Sequence, residues 1–211
     1  MRTWLKLVAW IVGVVGAVVL VLYLGFFDLW TVPTDDPLLA ASIEPTLSAG
    51  DVVVLTRRTE VSRGNLLRCA DPQAPGRFVI ARAIGRFGDE IEIGGESVAI
   101  DKRRTPSPRA CDEPTAVVHD PQSGEDVTLG CSVEEYGETT YNALRSPDHP
   151  EAPTVEKVQP DRWYLVSDDR HVHLDSRDFG QMDARNCQHI VFRLVGEQGF
   201  WDSKKRLNVI W

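Results

Sequence analysis

Three short stretches of the sequence hold side chains able to do covalent or acid–base chemistry. They are Ser42-Ile43-Glu44-Pro45-Thr46-Leu47 with Gly50-Asp51, then Phe87-Gly88-Asp89, and finally Ser167-Asp168-Asp169-Arg170 running through His173 to Asp175-Ser176-Arg177-Asp178-Phe179-Gly180. A serine set just before a rigid proline turn can attack a carbonyl once a neighbouring base takes its proton. Histidine and aspartate, both present in the third stretch, are the side chains that most often act as that base or orient it. Singly, each stretch is ordinary: most Ser-x-x-Pro segments are turns, and polar clusters after a strand are usually loop hydrogen-bonding sets. The four cysteines, Cys69, Cys111, Cys131 and Cys187, show neither CxxC nor zinc spacing. No metal and no cofactor is therefore expected.

The elements that must position these residues read as almost wholly β. Asp51–Thr56, Asn65–Arg68, Arg77–Ile84, Asp89–Ile93 and Ser97–Ile100 are short apolar or alternating runs, with a tight turn expected at Gly94-Gly95. Residues 102–115 and 146–153 read as loops. Ala116–His119 and Asp126–Cys131 flank a turn-rich DPQSGE, a hairpin that favours a Cys111–Cys131 bridge among the three possible pairings. Arg162–Ser167 and His189–Val195 read as closing strands. No helix is expected after the first thirty residues.

Those thirty residues are different. Leu7 to Phe27 runs 21 residues without a charged side chain, and about 31 Å of helix matches a bilayer's hydrocarbon core. The run lacks the small-x-small ending of a cleaved leader. Arg2 and Lys6 precede it and Asp28, Asp35 and Asp36 follow, so the N-terminus is expected in the cytoplasm and the remainder outside. The expected organisation is a cytoplasmic tip and transmembrane anchor over 1–30, an extended linker over 31–41, and an extracytoplasmic β domain over 42–211. Within that domain 102–158 is expected to form a variable hairpin and loop region.

Of 211 residues, the part from Asp28 onward holds 21 of the 23 basic side chains and all 31 acidic ones, a net charge of −10. Nucleic acid wants a basic face, so that partner is excluded. An oxidising compartment permits disulfides. The oligomeric state is left open.

Together, in this order behind an anchor, the three stretches resemble the bacterial type I signal peptidases. Ser42–Asp51 is similar to the family's Ser-Met-x-Pro-Thr-Leu…Gly-Asp block. Ile80–Glu90 (IARAIGRFGDE) resembles its Lys-Arg-(Val/Ala)-(Val/Ile)-Gly-x-Pro-Gly-Asp block, and Ser167–Gly180 its Gly-Asp-Asn-Arg…Ser-x-Asp-Ser-Arg-x-x-Gly block. The resemblance implies an all-β fold of coiled antiparallel sheets behind one transmembrane helix in the inner membrane. It also implies an endopeptidase that releases exported preproteins from their signal peptides, with those peptides and the lipid bilayer as partners.

Residue by residue, Ser42 matches the nucleophile and Arg82 the arginine after the catalytic lysine. Asp175 and Arg177 match a supporting ion pair, and Asp168 and Arg170 match framework residues. The lysine position is Ala81, whose methyl group cannot take a proton. Arg82 cannot substitute, because a guanidinium stays protonated. Losing the base of a serine hydrolase can cost about 10⁶ in turnover. His173 stands where the family has a serine facing the same cavity, so a Ser42–His173 dyad is expected in place of Ser–Lys, oriented by Asp175 or Asp169. Ala40 stands where some relatives have an oxyanion-holding serine. Two readings follow: a serine endopeptidase resembling signal peptidase I, or a catalytically inactive homologue that binds peptides or partner proteins.

Overall fold

A computed structural model of the chain describes residues 2–56, 60–94, 97–104, 109–137, 139–146 and 153–210. The turn expected at Gly94-Gly95 and the loops over 102–115 and 146–153 fall partly outside these residues.

Helix α1 (Arg2–Phe26) runs directly into strand β1 (Phe27–Thr31), so the helix stops one residue before the uncharged run does. Counted over the described residues, no helix is long and apolar enough to cross a membrane; the side chains of Arg2, Leu5 and residues 22–24, within α1, lie outside that count. The described apolar side chains of α1, among them Leu7, Val12 and Val19, are exposed.

The segment expected as an extended linker is half helical. Asp36 caps helix α2 (Pro37–Ser42) by accepting from Leu39 N–H at 3.1 Å, and Pro37 occupies the first turn, where its missing N–H costs nothing. Strands β2 (Val52–Thr56), β3 (Leu66–Ala70) and β4 (Phe78–Gly85) follow. After them come β5 (Glu90–Gly94), β6 (Ser97–Ile100) and the short β7 (Arg103–Arg104). Strands β8 (Arg109–Asp120) and β9 (Glu125–Tyr136) form a long hairpin that extends by β10 (Thr139–Arg145). The loop expected over 102–115 is thus partly strand: pairing with β9 begins at Arg109, and a register shift between Ala110 and Thr115 absorbs the proline at 114.

The chain closes with β11 (Thr154–Lys157), β12 (Arg162–Val166), helix α3 (Ser176–Phe179), β13 (Met182–Asp183), β14 (Cys187–Val195) and β15 (Asn208–Val209). Among the described residues all the strand pairs are antiparallel. The main sheet runs β1-β2-β14-β3-β4-β12-β13, with β15 also on β14; beside it lie β10-β9-β8 and β11-β5-β6-β7. Register shifts in β14, and one between β12 and β4, mark where the main sheet bends. The fold is therefore mostly β, as expected.

Strand β4 is buried along almost its whole length, and both of its faces pack. One apolar cluster joins Ala81 and Ala83 to Leu39 and Ile43 of the α2 region and to Leu47, Leu55, Leu66 and Leu174. Burying each leucine side chain is worth about 1.5–3 kcal/mol, so α2 and the residues around Ser42 are held by packing as well as by the Asp36 cap. Two disulfides, Cys69–Cys187 between β3 and β14 and Cys111–Cys131 between β8 and β9, use all four cysteines; the second is the bridge expected from the hairpin.

Candidate functional site

Ser42 is the last residue of α2 and is fully buried. Among the described residues its hydroxyl has one hydrogen bond, donated back to the Leu39 carbonyl at 2.9 Å. Its own carbonyl accepts from Asp169 N–H at 3.2 Å, which ties the serine turn to the third chemical stretch. The Asp36 cap that starts α2 is gripped in turn by Arg77 of the loop before β4, through Nη2 at 2.8 Å and Nε at 3.2 Å.

Ala81 lies on β4 opposite Leu67 of β3 and is fully buried in the apolar cluster. The next residue, Arg82, is nearly as buried and has every nitrogen engaged. Nε and Nη2 reach Asp168 at 3.0 and 3.1 Å, Nη1 donates to Gly64 O at 2.9 Å, and Nη2 donates to Thr46 Oγ1 at 3.0 Å. The guanidinium also covers the Tyr141 ring, 4.3 Å from its centroid. Gly64 has a φ of +85°, and a Cβ there would meet the Thr139 side chain at 2.7 Å, so glycine is what lets its carbonyl reach Arg82. Thr46 Oγ1 donates to Asp168 in its turn, completing a triangle of two buried charges and a half-buried hydroxyl four residues after Ser42.

The loop from Ser167 to Gly180 is built on two carboxylates. Asp175 accepts from Ser167 N–H at 2.7 Å and from Arg177 through Nη2 at 2.8 Å and Nε at 3.0 Å, and it caps α3 with Asp178 in a reciprocal box. Burial pushes the Asp175 carboxyl up, but Arg177 and these donors outweigh it and hold the group at about 2. The expected ion pair of Asp175 and Arg177 is thus present at hydrogen-bond distance. Arg170 is buried against Glu134 at 2.7 Å; burial raises that carboxyl, while Arg170 and Arg145 more than offset it and keep it below its ordinary value.

Asp169 is the other kind of carboxylate. Oδ1 accepts from His171 and Val172 N–H at 2.8 and 2.9 Å, whereas Oδ2 is buried without a hydrogen-bond partner among the described residues. Burial, reinforced by the nearby negative charge of Glu44, pushes Asp169 up to about 7 against its backbone donors and Arg177. Glu44 is raised as well, by its own burial, although Lys205 opposes the shift.

His173 is expected to face the Ser42 hydroxyl. Its Nδ1 meets Asp178 Oδ2 at 2.9 Å, a carboxylate not named among the expected orienting groups, Asp175 and Asp169. Burial works against its protonation, yet the Asp178 bond wins and the imidazole pKa is raised. Residues His173, Asp175 and Asp178 are the group that could gather a cation among the described residues, their ligand atoms lying within 4.8 Å of one another. Arg177 already neutralises the Asp175 carboxylate in that group.

The structure therefore brings together Arg82 with Asp168, Asp175 with Arg177, and Ser42 with the backbone of Asp169. Sequence reading missed Thr46 as the bridge to Arg82, Asp178 as the histidine's partner, and the buried Glu134 beneath Arg170. Only Asp178 had a local signal, the Asp175-x-x-Asp178 spacing of a capping box.

Two cavities flank Pro45. One of about 600 Å³ lies over the β8–β9–β10 sheet and is walled by Cys111, Cys131, Thr140 and Leu144. The other, about 250 Å³, is lined by Thr46, Arg82, Tyr141 and Arg193. Ser42 lines neither.

No curated protein matches the chain significantly. Its serine turn, arginine–aspartate framework and capped third loop nevertheless lie within residues 2–193, which match one family along their whole length, and the chain belongs to that family: signal peptidase, peptidase S26.

Proposed function

We propose that this chain is a membrane-anchored, non-hydrolytic member of the signal peptidase family that binds signal-peptide-like segments without cutting them. The observation that carries the reading is the environment of Ser42. The hydroxyl is fully buried and committed to the Leu39 carbonyl, and Ala81, at the family's lysine position, contributes only a methyl group to apolar packing. Among the described residues no base is hydrogen-bonded to the Ser42 hydroxyl, and burial denies a scissile carbonyl access to it. Arg82, Asp168, Arg170, Asp175 and Arg177 in this reading maintain the shape of the site rather than its chemistry.

The anchor rests on the uncharged run from Leu7 to Phe27 and on the charges that flank it. It places the N-terminus in the cytoplasm and the β domain on the outer face of the inner membrane, where signal peptides emerge. The hydrolytic reading has one observation in its favour, the His173–Asp178 pair, which has the form of a base and its orienting acid.

Binding tests the proposal. Full-length protein in detergent micelles, immobilised and offered a preprotein with an Ala-x-Ala site, is expected to retain it intact, and Ser42→Ala to retain it equally well. Failure of both proteins to retain any preprotein would contradict the reading.

A further inference from the structure

The sheet β10-β9-β8 has two outer edges of different character. The β8 edge is blunted: Pro114, the register shift beside it and the exposed charges of Arg109, Asp112 and Glu113 all discourage further pairing. The β10 edge, TTYNALR, is rich in strand formers and holds neither proline nor lysine.

Leu144 sets the direction of the backbone along β10. Its N–H donates to Asp168 O at 2.8 Å and its carbonyl accepts from Arg170 N–H at 2.8 Å, so its backbone groups face away from β9. Pairing with β9 is unbroken from Thr139 to Arg145, and this direction repeats at every second residue. Asn142 and Thr140 therefore point their N–H and C=O groups outward as well. The parallel bridge between Leu144 and Asp169 covers the edge at Leu144 alone. Among the described residues nothing pairs with the outward backbone groups of Thr140 and Asn142, and both residues are exposed.

The two cavities beside Pro45 meet at this open edge, for Thr140, Tyr141 and Asn142 line both. The larger, about 600 Å³, lies on the sheet face that carries Leu144, Cys131 and Val133. The smaller, about 250 Å³, lies where Arg82 covers the Tyr141 ring. An extended chain laid along β10 sends successive side chains to opposite faces, one toward each cavity. Around the larger, Asp112 and Glu113 outweigh Arg109 by one negative charge, and Ala110, Ala116 and Leu144 are apolar. That combination suits a lysine or arginine, with its apolar stem and cationic head. In the smaller, Arg82 is paired with Asp168 and Arg193 with Asp51, so its volume suits a small uncharged side chain.

We propose that the β10 edge at Thr140 and Asn142 takes up an internal, extended segment of a bound preprotein as an added strand, with a basic side chain in the larger cavity and a small apolar one in the smaller. The proposal rests on the peptide-binding reading above and names what is bound: main chain next to the Ala-x-Ala site, beside the serine turn that Pro45 extends.

Calorimetric titration of the full-length protein in micelles tests it. The probe is an acetylated, amidated decapeptide with Ala-Leu-Ala at its centre and a lysine beyond it, together with a series N-methylated at one position each. Methylation at alternate positions of the edge-bound segment is expected to weaken binding about tenfold, and at the positions between them hardly at all. Asn142→Pro removes one outward N–H while sparing the bonds to β9, and is expected to lose about tenfold too. Replacing the peptide lysine by glutamate should weaken binding, and Asp112→Asn with Glu113→Gln should erase that difference. If Asn142→Pro melts at a lower temperature, the methylation series on the unaltered protein decides. Binding without an alternating pattern, or at full affinity in a stably folded Asn142→Pro, would overturn the edge site and leave peptide binding standing. Failure of every peptide to bind would overturn both. A concentration-dependent dimer that Asn142→Pro abolishes would assign the edge to a second copy of the chain, and so overturn the proposal as well.

Discussion

At the scale of single residues, two buried aspartates pull the stability of the site in opposite directions. Asp169 is raised to about 7, so its contribution is fully present below the unfolded value near pH 4 and is lost as pH rises through 7. Replacing it by asparagine should remove that slope and stabilise the protein at pH 8 by an amount on the order of 4 kcal/mol, read from urea unfolding at pH 5 and pH 8. Asp175, held at about 2, contributes stability that is present above its unfolded value and disappears as pH falls through 2. Asp175→Asn should therefore weaken the protein at neutral pH and flatten its acid limb. Arg82→Ala leaves Asp168 buried without its cation, at a cost of about 3–5 kcal/mol, where Ser42→Ala should be nearly neutral. Arg82, Asp168, Asp175 and Arg177 were legible as positions because each stands at a fixed place in a recognisable block, and the structure pairs Arg82 with Asp168 and Asp175 with Arg177. The His173–Asp178 pairing was not. Which carboxylate an imidazole meets depends on how the loop folds back, and the capping of α3 turns Asp178 rather than Asp175 toward it.

At the scale of elements, the strands were legible wherever apolar runs were continuous, as in β2, β4 and β14. The short helix α2 was not, because six residues carry too little periodicity to separate from a linker that opens on prolines. It takes the Asp36 cap, the Arg77 grip on that cap and burial of Leu39 to stabilise it. The hairpin of β8 and β9 was seen only in its inner half, since the outer part of β8, 109–115, is exposed nearly throughout, carries no alternation and holds Pro114. The two disulfides close loops of very different length, with sequence separations of 118 and 20 residues. On chain-entropy grounds the double variant Cys69→Ser/Cys187→Ser should lose about 5 kcal/mol and Cys111→Ser/Cys131→Ser about 3 kcal/mol. Calorimetric melting under identical conditions checks the order of the two.

At the scale of the whole molecule, the acidic β domain supplies a curled sheet with a serine turn, and the uncharged N-terminal run is proposed to keep that turn at a membrane. Alkaline carbonate extraction should leave the full chain in the membrane fraction, and added protease should remove the β domain from spheroplasts but not from intact cells. The central claim concerns what the serine turn no longer does. Its direct measurement is the rate at which purified full-length protein releases the mature product from an Ala-x-Ala preprotein, followed by mass spectrometry from pH 6 to pH 9, beside Ser42→Ala. The account predicts no product above the Ser42→Ala background at any pH, in keeping with a loss of about 10⁶ in turnover when a serine hydrolase lacks its base. Cleavage that rises with pH as His173 sheds its proton, and that disappears in Ser42→Ala, would contradict it.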